Sequence, residues 1–453
     1  MTQKKLQSLL NKADEGFKIL KEHLDNENIV RIISHNDSDG LSSAGLVARA
    51  ISENDGQFHV SIISRLHEEF IKKLAREKYK VFFFCDMGSS EIEILSKNLK
   101  GDVIVADHHQ ITGEINDIEG NGNIVHVNPH LFNIDGTQEL SASGTAYLIM
   151  KNFEIEHLAS MALVGAIGDM QCENGFLGVN KIILDEGLKK GEIKVKEDIR
   201  ILHKDEYLYR ALAFTFYPPL TGITGDFDSA KKFLEKIGIN PKARYNELDK
   251  EEKEKLKESL CKINPDIYGK IYLDPGFGQL KDLRYFSEIL DACGKSKEYG
   301  LALSICLKNK NEDIEKATKI LKKYNEKIIK GLKWLKRENS KKMKNIQYVY
   351  TEDKSIKPII GTLVSIAMSV GILDDSMPTL GLYKINNHVK VSARTNMSVV
   401  EKGVNLGKAL KRASDSVGGN GGGHNVAAGA MIPYKEMNNF LNIVDEIVGE
   451  QKK

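Results

Sequence analysis

"NIVRIISHNDSDG", residues 28–40, is an apolar run that stops abruptly in charge. Its Ile and Val content, interrupted only by Arg31, is that of a strand buried on both faces of a sheet. His35, Asn36, Asp37 and Asp39 crowd the end of that strand, and Gly40 lets the chain turn tightly into a helix from about Leu41 to Ser52. Two carboxylates two residues apart repel each other and lose solvation when buried. The segment therefore calls for a compensating cation or substrate.

Working outward, the rhythm repeats. "FHVSIIS" (58–64), a helical "LHEEFIKKLAREK" (66–78), "KVFFFC" (80–85), a helix near Ser90–Asn98 and "DVIVA" (102–106) alternate strand with helix. Alternation at this spacing predicts an α/β fold, a parallel sheet with crossover helices. Two apolar helices follow, near Ser141–Lys151 and in "HLASMALVGAIGD" (157–169). From about Leu177 to Leu307 the chain is charged and mostly helical. A long helix is expected from about Asp313 to Asn339, where Ile314, Ala317, Leu321, Tyr324, Ile328, Leu332 and Leu335 step by three and four and lysines fill the other faces. It reads first as a connector packed between domains, a role compatible with nucleic-acid contact. The last hundred residues form a smaller α/β domain with strands "IQYVYTED", "TLGLYKIN" and "HVKVSARTN" and the glycine-rich "GGNGGGHNVAAGA" (418–430). The expected organisation is 1–190 catalytic, 191–310 a helical insertion, 311–344 the basic connector helix, and 345–453 the substrate-binding domain.

At 453 residues the chain exceeds one ordinary core. A hydrophobic share of 41% and a charged share of 28% fit a soluble globular protein. No run approaches the roughly 18 apolar residues of a membrane span, and the N-terminal stretch reads as an amphipathic helix, not a signal peptide. Cys85, Cys172, Cys261, Cys293 and Cys306 form no CxxC, which fits reduced core residues in the cytoplasm and argues against zinc. The net charge of +2 conceals an asymmetry: residues 1–189 hold 18 Lys+Arg against 28 Asp+Glu, and residues 190–345 hold 35 against 25. An acidic first third suits cations, and a basic middle third suits a polyanion.

Three strands end in acid or imidazole: "NIVRIIS" runs into "HNDSDG", "KVFFFC" into "DMG", and "DVIVA" into "DHH". In open α/β sheets ligands bind at the carboxyl ends of the strands, so these loops converge on one crevice. Asp169, ending an apolar helix, adds another carboxylate. A lone Asp after a strand is more often a helix cap, but four such sites with His108 and His109 supply ligands for two divalent cations. Carboxylate plus imidazole suits Mn²⁺, with Mg²⁺ the alternative. His59, His67, His126, His130 and His157 are read as structural, and Trp334 as packing.

The four motifs resemble the DHH phosphoesterase superfamily, and "SARTN" with "GGGHNVAAG" resembles its companion domain, DHHA1. The order of the motifs and the helical insertion are most similar to archaeal RecJ-like exonucleases, relatives of a degenerate subunit of the eukaryotic replicative helicase. The resemblance implies that Asp37 with His35 ligates one metal, that Asp39, His108 and Asp169 ligate the other, and that Asp86 bridges them. It further implies that Asp107 orients the histidine pair and that His109 contacts the scissile phosphate or protonates the leaving oxygen. Arg394, Gly421, Gly422, Gly423 and His424 would hold substrate phosphates. The implied activity is metal-dependent exonucleolytic cleavage of single-stranded DNA or RNA, clamped between two lobes, in replication or repair. A small-molecule phosphodiesterase or pyrophosphatase, and a replisome scaffold with secondary nuclease activity, are the alternatives. A replicative helicase (GINS-type) complex or a repair helicase would dock on the insertion, no membrane is involved, and a homo-oligomer is left open.

Overall fold

The structure, a computed structural model, describes residues 2–111, 122–173, 175–338 and 340–452. Two compact units form: Met1–Asp198 with Lys270–Lys322, and Ile199–Gly269 with Lys323–Lys453. Residues 191–310 thus contribute to both.

The first unit opens with helix α1 (Gln3–Asp25) and continues as β1 (Val30–Ser34), α2 (Ser38–Glu53), β2 (Phe58–Ile62), α3 (Glu68–Leu74), β3 (Val81–Cys85), α4 (Ile92–Asn98), β4 (Asp102–Ala106) and β5 (Ile124–Val127). The five strands pair in parallel in the order β2-β1-β3-β4-β5. Side chains alternate across the sheet. Ile33, Phe82, Phe84, Val103 and Val105 share one apolar cluster with Ile71 and Leu74 of α3 and Leu95 of α4. On the other face α2 and α5 (Ala142–Met150) pack on the central strands and α1 on β5. The α/β expectation holds, covered on both faces. Strand β5 was not anticipated. Its four residues, "IVHV", carry a buried polar side chain, His126, which masks the apolar signature and whose Nε2 lies 2.8 Å from Ser89 Oγ. In this strand order β1 and β3 are neighbours, the switch point outside which ligands bind in such sheets.

Next come α6 (Leu158–Gly168), buried from Leu158 to Ile167, and α7 (Gly178–Lys189). Strands β6 (Lys194–Ile199) and β7 (Tyr268–Leu273) pair as a two-stranded ribbon. Between them lie α8 (Leu208–Ala213), α9 (Phe227–Lys236) and α10 (Lys250–Cys261), and after them α11 (Leu283–Lys295), α12 (Tyr299–Lys308) and α13 (Asn311–Glu338). All seven stripe residues of α13 are buried, while Lys322, Lys323, Lys330 and Lys333 are exposed. The anticipated last residue, Asn339, lies outside the described residues.

The second unit's sheet comprises β8 (Lys341–Lys342), β9 (Gln347–Thr351), β10 (Thr379–Ile385), β11 (His388–Arg394), β12 (Asn420–Gly423) and β13 (Ala427–Pro433), in the order β12-β13-β11-β10-β9-β8. It is mixed, with β9 and β10 parallel and the other pairs antiparallel. Helices α14 (Ile360–Ser369), α15 (Met397–Val400), α16 (Leu406–Ser416) and α17 (Met437–Gln451) complete it. Much of the glycine-rich stretch is therefore a hairpin. A Cβ on Gly421 would meet the Leu410 carbonyl of α16 at 2.8 Å, and Gly423 has φ +139°, so both glycines serve packing and backbone shape. Gly422 alone of the three faces open space. Of the cysteines, Cys261 is half-buried, the other four are buried, and none is bridged.

Candidate metal centre

The carboxyl ends of three strands and one helix deliver the polar cluster. His35, Asp37 and Asp39 follow β1, Asp86 follows β3, Asp107, His108 and His109 follow β4, and Asp169 caps α6. His35 Nδ1 lies 2.7 Å from Asp37 Oδ2 and 3.3 Å from Asp86 Oδ2. His108 Nε2 lies 3.1 Å from Asp169 Oδ2, 3.5 Å from Asp86 Oδ1 and 3.8 Å from Asp39 Oδ2. Three overlapping groups each offer ligand atoms within 4.8 Å of one another: His35/Asp37/Asp86, Asp86/His108/His109 and Asp39/His108/Asp169. Asp86 links the first two, and His108 links the last two.

Local backbone chemistry sets each side chain. Asp37 is the N-cap of α2, its Oδ1 accepting from the Gly40 amide at 3.1 Å. A Cβ on Gly40 would collide with the His35 carbonyl, so glycine is required there by close approach. Asp39 is fully buried and accepts the Ala142 and Ser143 amides (2.8 and 2.9 Å) at the N-terminus of α5. Gly165 of α6 has no room for a Cβ against the same carboxylate. Asp86 adopts φ +57°, a left-handed conformation uncommon outside glycine but tolerated by Asp.

Asp107 turns inward. Its Oδ1 accepts the amides of His108 (2.8 Å) and His109 (3.2 Å), and its Oδ2 accepts the Ser89 amide (3.0 Å). The same Oδ1 sits 2.8 Å from His109 Nδ1. His108 Nδ1 is 2.6 Å from the Gly136 carbonyl, which can only accept. Nδ1 is therefore the donor, and Nε2 is the nitrogen turned toward the carboxylates. The Gly136 carbonyl, Ser89 and Asn128, whose Nδ2 donates to Ser89 Oγ and the His109 carbonyl, were missed from sequence. No local pattern marks them.

Burial pushes Asp39 well above the usual carboxylate range, and the charges of Asp169 and Asp86 add to it. Burial, then Asp37, raises Asp86. For His35 and His108 burial opposes protonation, but the surrounding carboxylates outweigh it and hold both high. His109 is raised to about 9 because Asp107 overcomes burial. Asp37 and Asp107 lie below their usual range despite burial, through His35 and His109 respectively. Metal-free, the cluster is thus held together by protons on imidazoles. Asp86 Oδ1 is buried with no hydrogen-bond partner, and with this donor set it fits a divalent cation.

A titration follows from these directions. A group whose folded pKa is raised stabilises the fold below its unfolded value, and that stability is lost as pH rises through the folded one. His35, His108, His109, Asp39 and Asp86 all act in this sense, while the lowered Asp37 and Asp107 act only in acid. In EDTA the Tm should fall between pH 6.5 and about 9, the window of His109. Mn²⁺ should flatten the fall, because the cation replaces the protons. A Tm in EDTA that is level or rises over this window would contradict the protonated cluster.

The remaining candidates lie in the second unit. Arg394 ends β11, opposite Ala427 of β13, and His424 stands in the β12–β13 turn, its amide donating to the Ala427 carbonyl at 2.8 Å. The two are thus brought to one end of the sheet. Arg394 Nη2 lies 3.2 Å from where a Cβ on Gly361 would stand, in the first turn of α14.

The DHH family, N-terminal domain, matches residues 29–167, and the DHHA1 domain matches residues 345–450. An uncharacterized protein of Methanocaldococcus jannaschii is 36% identical over 449 residues, covering 98% of each chain. The chain belongs to the DHH family. Among solved structures, this DHH phosphoesterase shares its fold with CDC45 from Entamoeba histolytica (TM-score 0.68, 12% identity, 96% of this chain and 99% of that one). It also resembles RecJ from Thermus thermophilus in complex with Mn²⁺ (TM-score 0.61, 16% identity, 97% of this chain), spanning 55% of that chain. An exonuclease RecJ bound to manganese matches at TM-score 0.57 and 16% identity, over 96% of this chain and 94% of that one. Among the described residues of this DHH protein no helix is long and apolar enough to cross a membrane.

Proposed function

We propose that this DHH phosphoesterase removes nucleotides from an end of single-stranded DNA or RNA, with two divalent cations, Mn²⁺ preferred and Mg²⁺ the alternative. The observation that carries the reading is Asp86, buried between His35 and His108 with one oxygen turned to each side. His35 and Asp37 would hold one cation, Asp39, His108 and Asp169 the other, and Asp86 both. Such a pair activates water and stabilises charge on the leaving oxygen of a displacement at phosphorus. Asp107 keeps the His108–His109 turn in place through three amides. His109 has a side chain 40% exposed, which supports contact with the scissile phosphate or a proton transfer to the leaving oxygen. Arg394 and His424, with the backbone of Gly421, Gly422 and Gly423, would bind substrate phosphates.

The test is digestion of end-labelled single-stranded DNA and RNA with Mn²⁺, resolving products by length. A ladder shortening from one end, abolished by EDTA, is expected; internal cuts or activity in EDTA would overturn the reading. No candidate ligand is missing, which favours an enzyme over a scaffold. Helicase-complex binding would be sought with the full chain, because residues 191–310 are divided between two units and are not one folded body.

The basic face of α13 suits a polyanion. Neutralising Lys322, Lys323, Lys330 and Lys333 together should weaken binding of long strands and flatten its salt dependence, since fewer counterions are released. Dinucleotide cleavage should barely change. Equal loss on both substrates would make the helix structural only.

A further inference from the structure

Helix α11 lies outside both family-matched spans, yet one of its faces meets the loop that carries Asp37. Ser287, Asp291, Gly294 and Lys295 recur at three- and four-residue spacing and so line one side of the helix. Ser287 Oγ lies 2.8 Å from Ser38 Oγ, both side chains buried. Seven residues on, Gly294 sits so close to the Asn36 carbonyl that a Cβ there would overlap its oxygen, and Leu41 Cδ1 would stand 3.1 Å away. Asp291 and Lys295 pair at 3.6 Å beside this contact. Burial raises the Asp291 carboxyl, Lys295 opposes the rise, and Asp37 is a further negative neighbour. The helix also packs on α2 and α6, the helices that begin and end at Asp37 and Asp169.

We propose that α11 is a wall of the metal centre, and that Gly294 with Ser287 positions the Asn36–Ser38 segment and through it Asp37. The inference rests on reading Asp37 as a cation ligand. Close approach at Gly294 and the buried hydroxyl pair grip the segment at two points one residue either side of Asp37. A ligand on a short loop is held only as well as the groups behind it, and loosening such support commonly costs about 10- to 100-fold in metal affinity.

The full-length chain carrying Gly294→Ala tests it. Gly294 is helical with ordinary φ, so alanine suits the helix and the steric conflict falls on the loop. The variant should melt below the wild type, because the Asn36 carbonyl has to move to admit the methyl group. In the metal-free protein with isotope-labelled histidine, the ring signals of His35 should shift and those of His108 should not. In calorimetric titration with Mn²⁺, one of two binding events should weaken by about tenfold or more while the other holds. Ser287→Ala should act in the same direction by about threefold, the scale of one net hydrogen bond, and it decides the matter if Gly294→Ala does not fold. Unchanged His35 signals with both binding events unchanged, or equal weakening of both, would overturn the proposal. A wild type that binds no Mn²⁺ would sink the metal reading itself, and the His35 signals would still decide the positioning.

Discussion

Asp86→Asn should lower kcat/KM by about a thousandfold or more, since a carboxylate serving both cations stabilises several kcal/mol of transition-state charge and each ~1.4 kcal/mol is a factor of ten. Asparagine keeps the shape and tolerates the left-handed φ of +57°, so the fold should survive. It should even gain. Burial and the charge of Asp37 disfavour the ionised Asp86 carboxyl in the metal-free protein, and the neutral amide removes that cost. The expected pair of results is a dead enzyme whose Tm in EDTA equals or exceeds that of the wild type, with one fewer Mn²⁺ bound or both bound weakly. Substantial hydrolysis by Asp86→Asn would rule out the bridging role. A large drop in Tm would show that the carboxylate is needed to hold the structure rather than a cation.

Arg394→Ala and His424→Ala should leave Mn²⁺ affinity intact and lower kcat/KM by roughly one to three powers of ten, the size of a lost charge-assisted contact plus misalignment. Both residues belong to the second unit and are absent from every group of potential ligands. Contacts equal in ground and transition states affect KM alone, while lost positioning also lowers kcat. Both parameters are expected to suffer. The measurement is steady-state cleavage of a short single-stranded oligonucleotide beside calorimetric Mn²⁺ titration. Unchanged kinetics in both variants would remove the second unit from catalysis, and lost metal binding would mean that the ligands are wrongly assigned.

Much of this was legible because it is local. Continuous apolar strands ending in charge announce a covered parallel sheet and put their polar residues at one edge, whatever the distant chain does. The stepping of Ile314 through Leu335 likewise predicts its own buried stripe. Strand β5 escaped notice because His126, a buried polar residue, interrupts its four-residue pattern. A glycine run does not disclose pairing, so the hairpin of the glycine-rich stretch is hidden in the sequence; only the neighbours Leu410 and Ala428 show why Gly421 and Gly423 must be bare.

By itself, then, the sequence determined the α/β class, the strand ends that bear the acids, and the residue types able to hold a divalent cation. Those follow from periodicity and from the cost of burying charge, both written in short windows. The tertiary structure alone decided how the cluster is held. His108 takes its tautomer from the Gly136 carbonyl 28 residues away, Asp39 takes its amides from α5, and Ser38 meets Ser287 across 249 residues. Such contacts depend on where the chain returns in space, and no pattern within a single segment records that return.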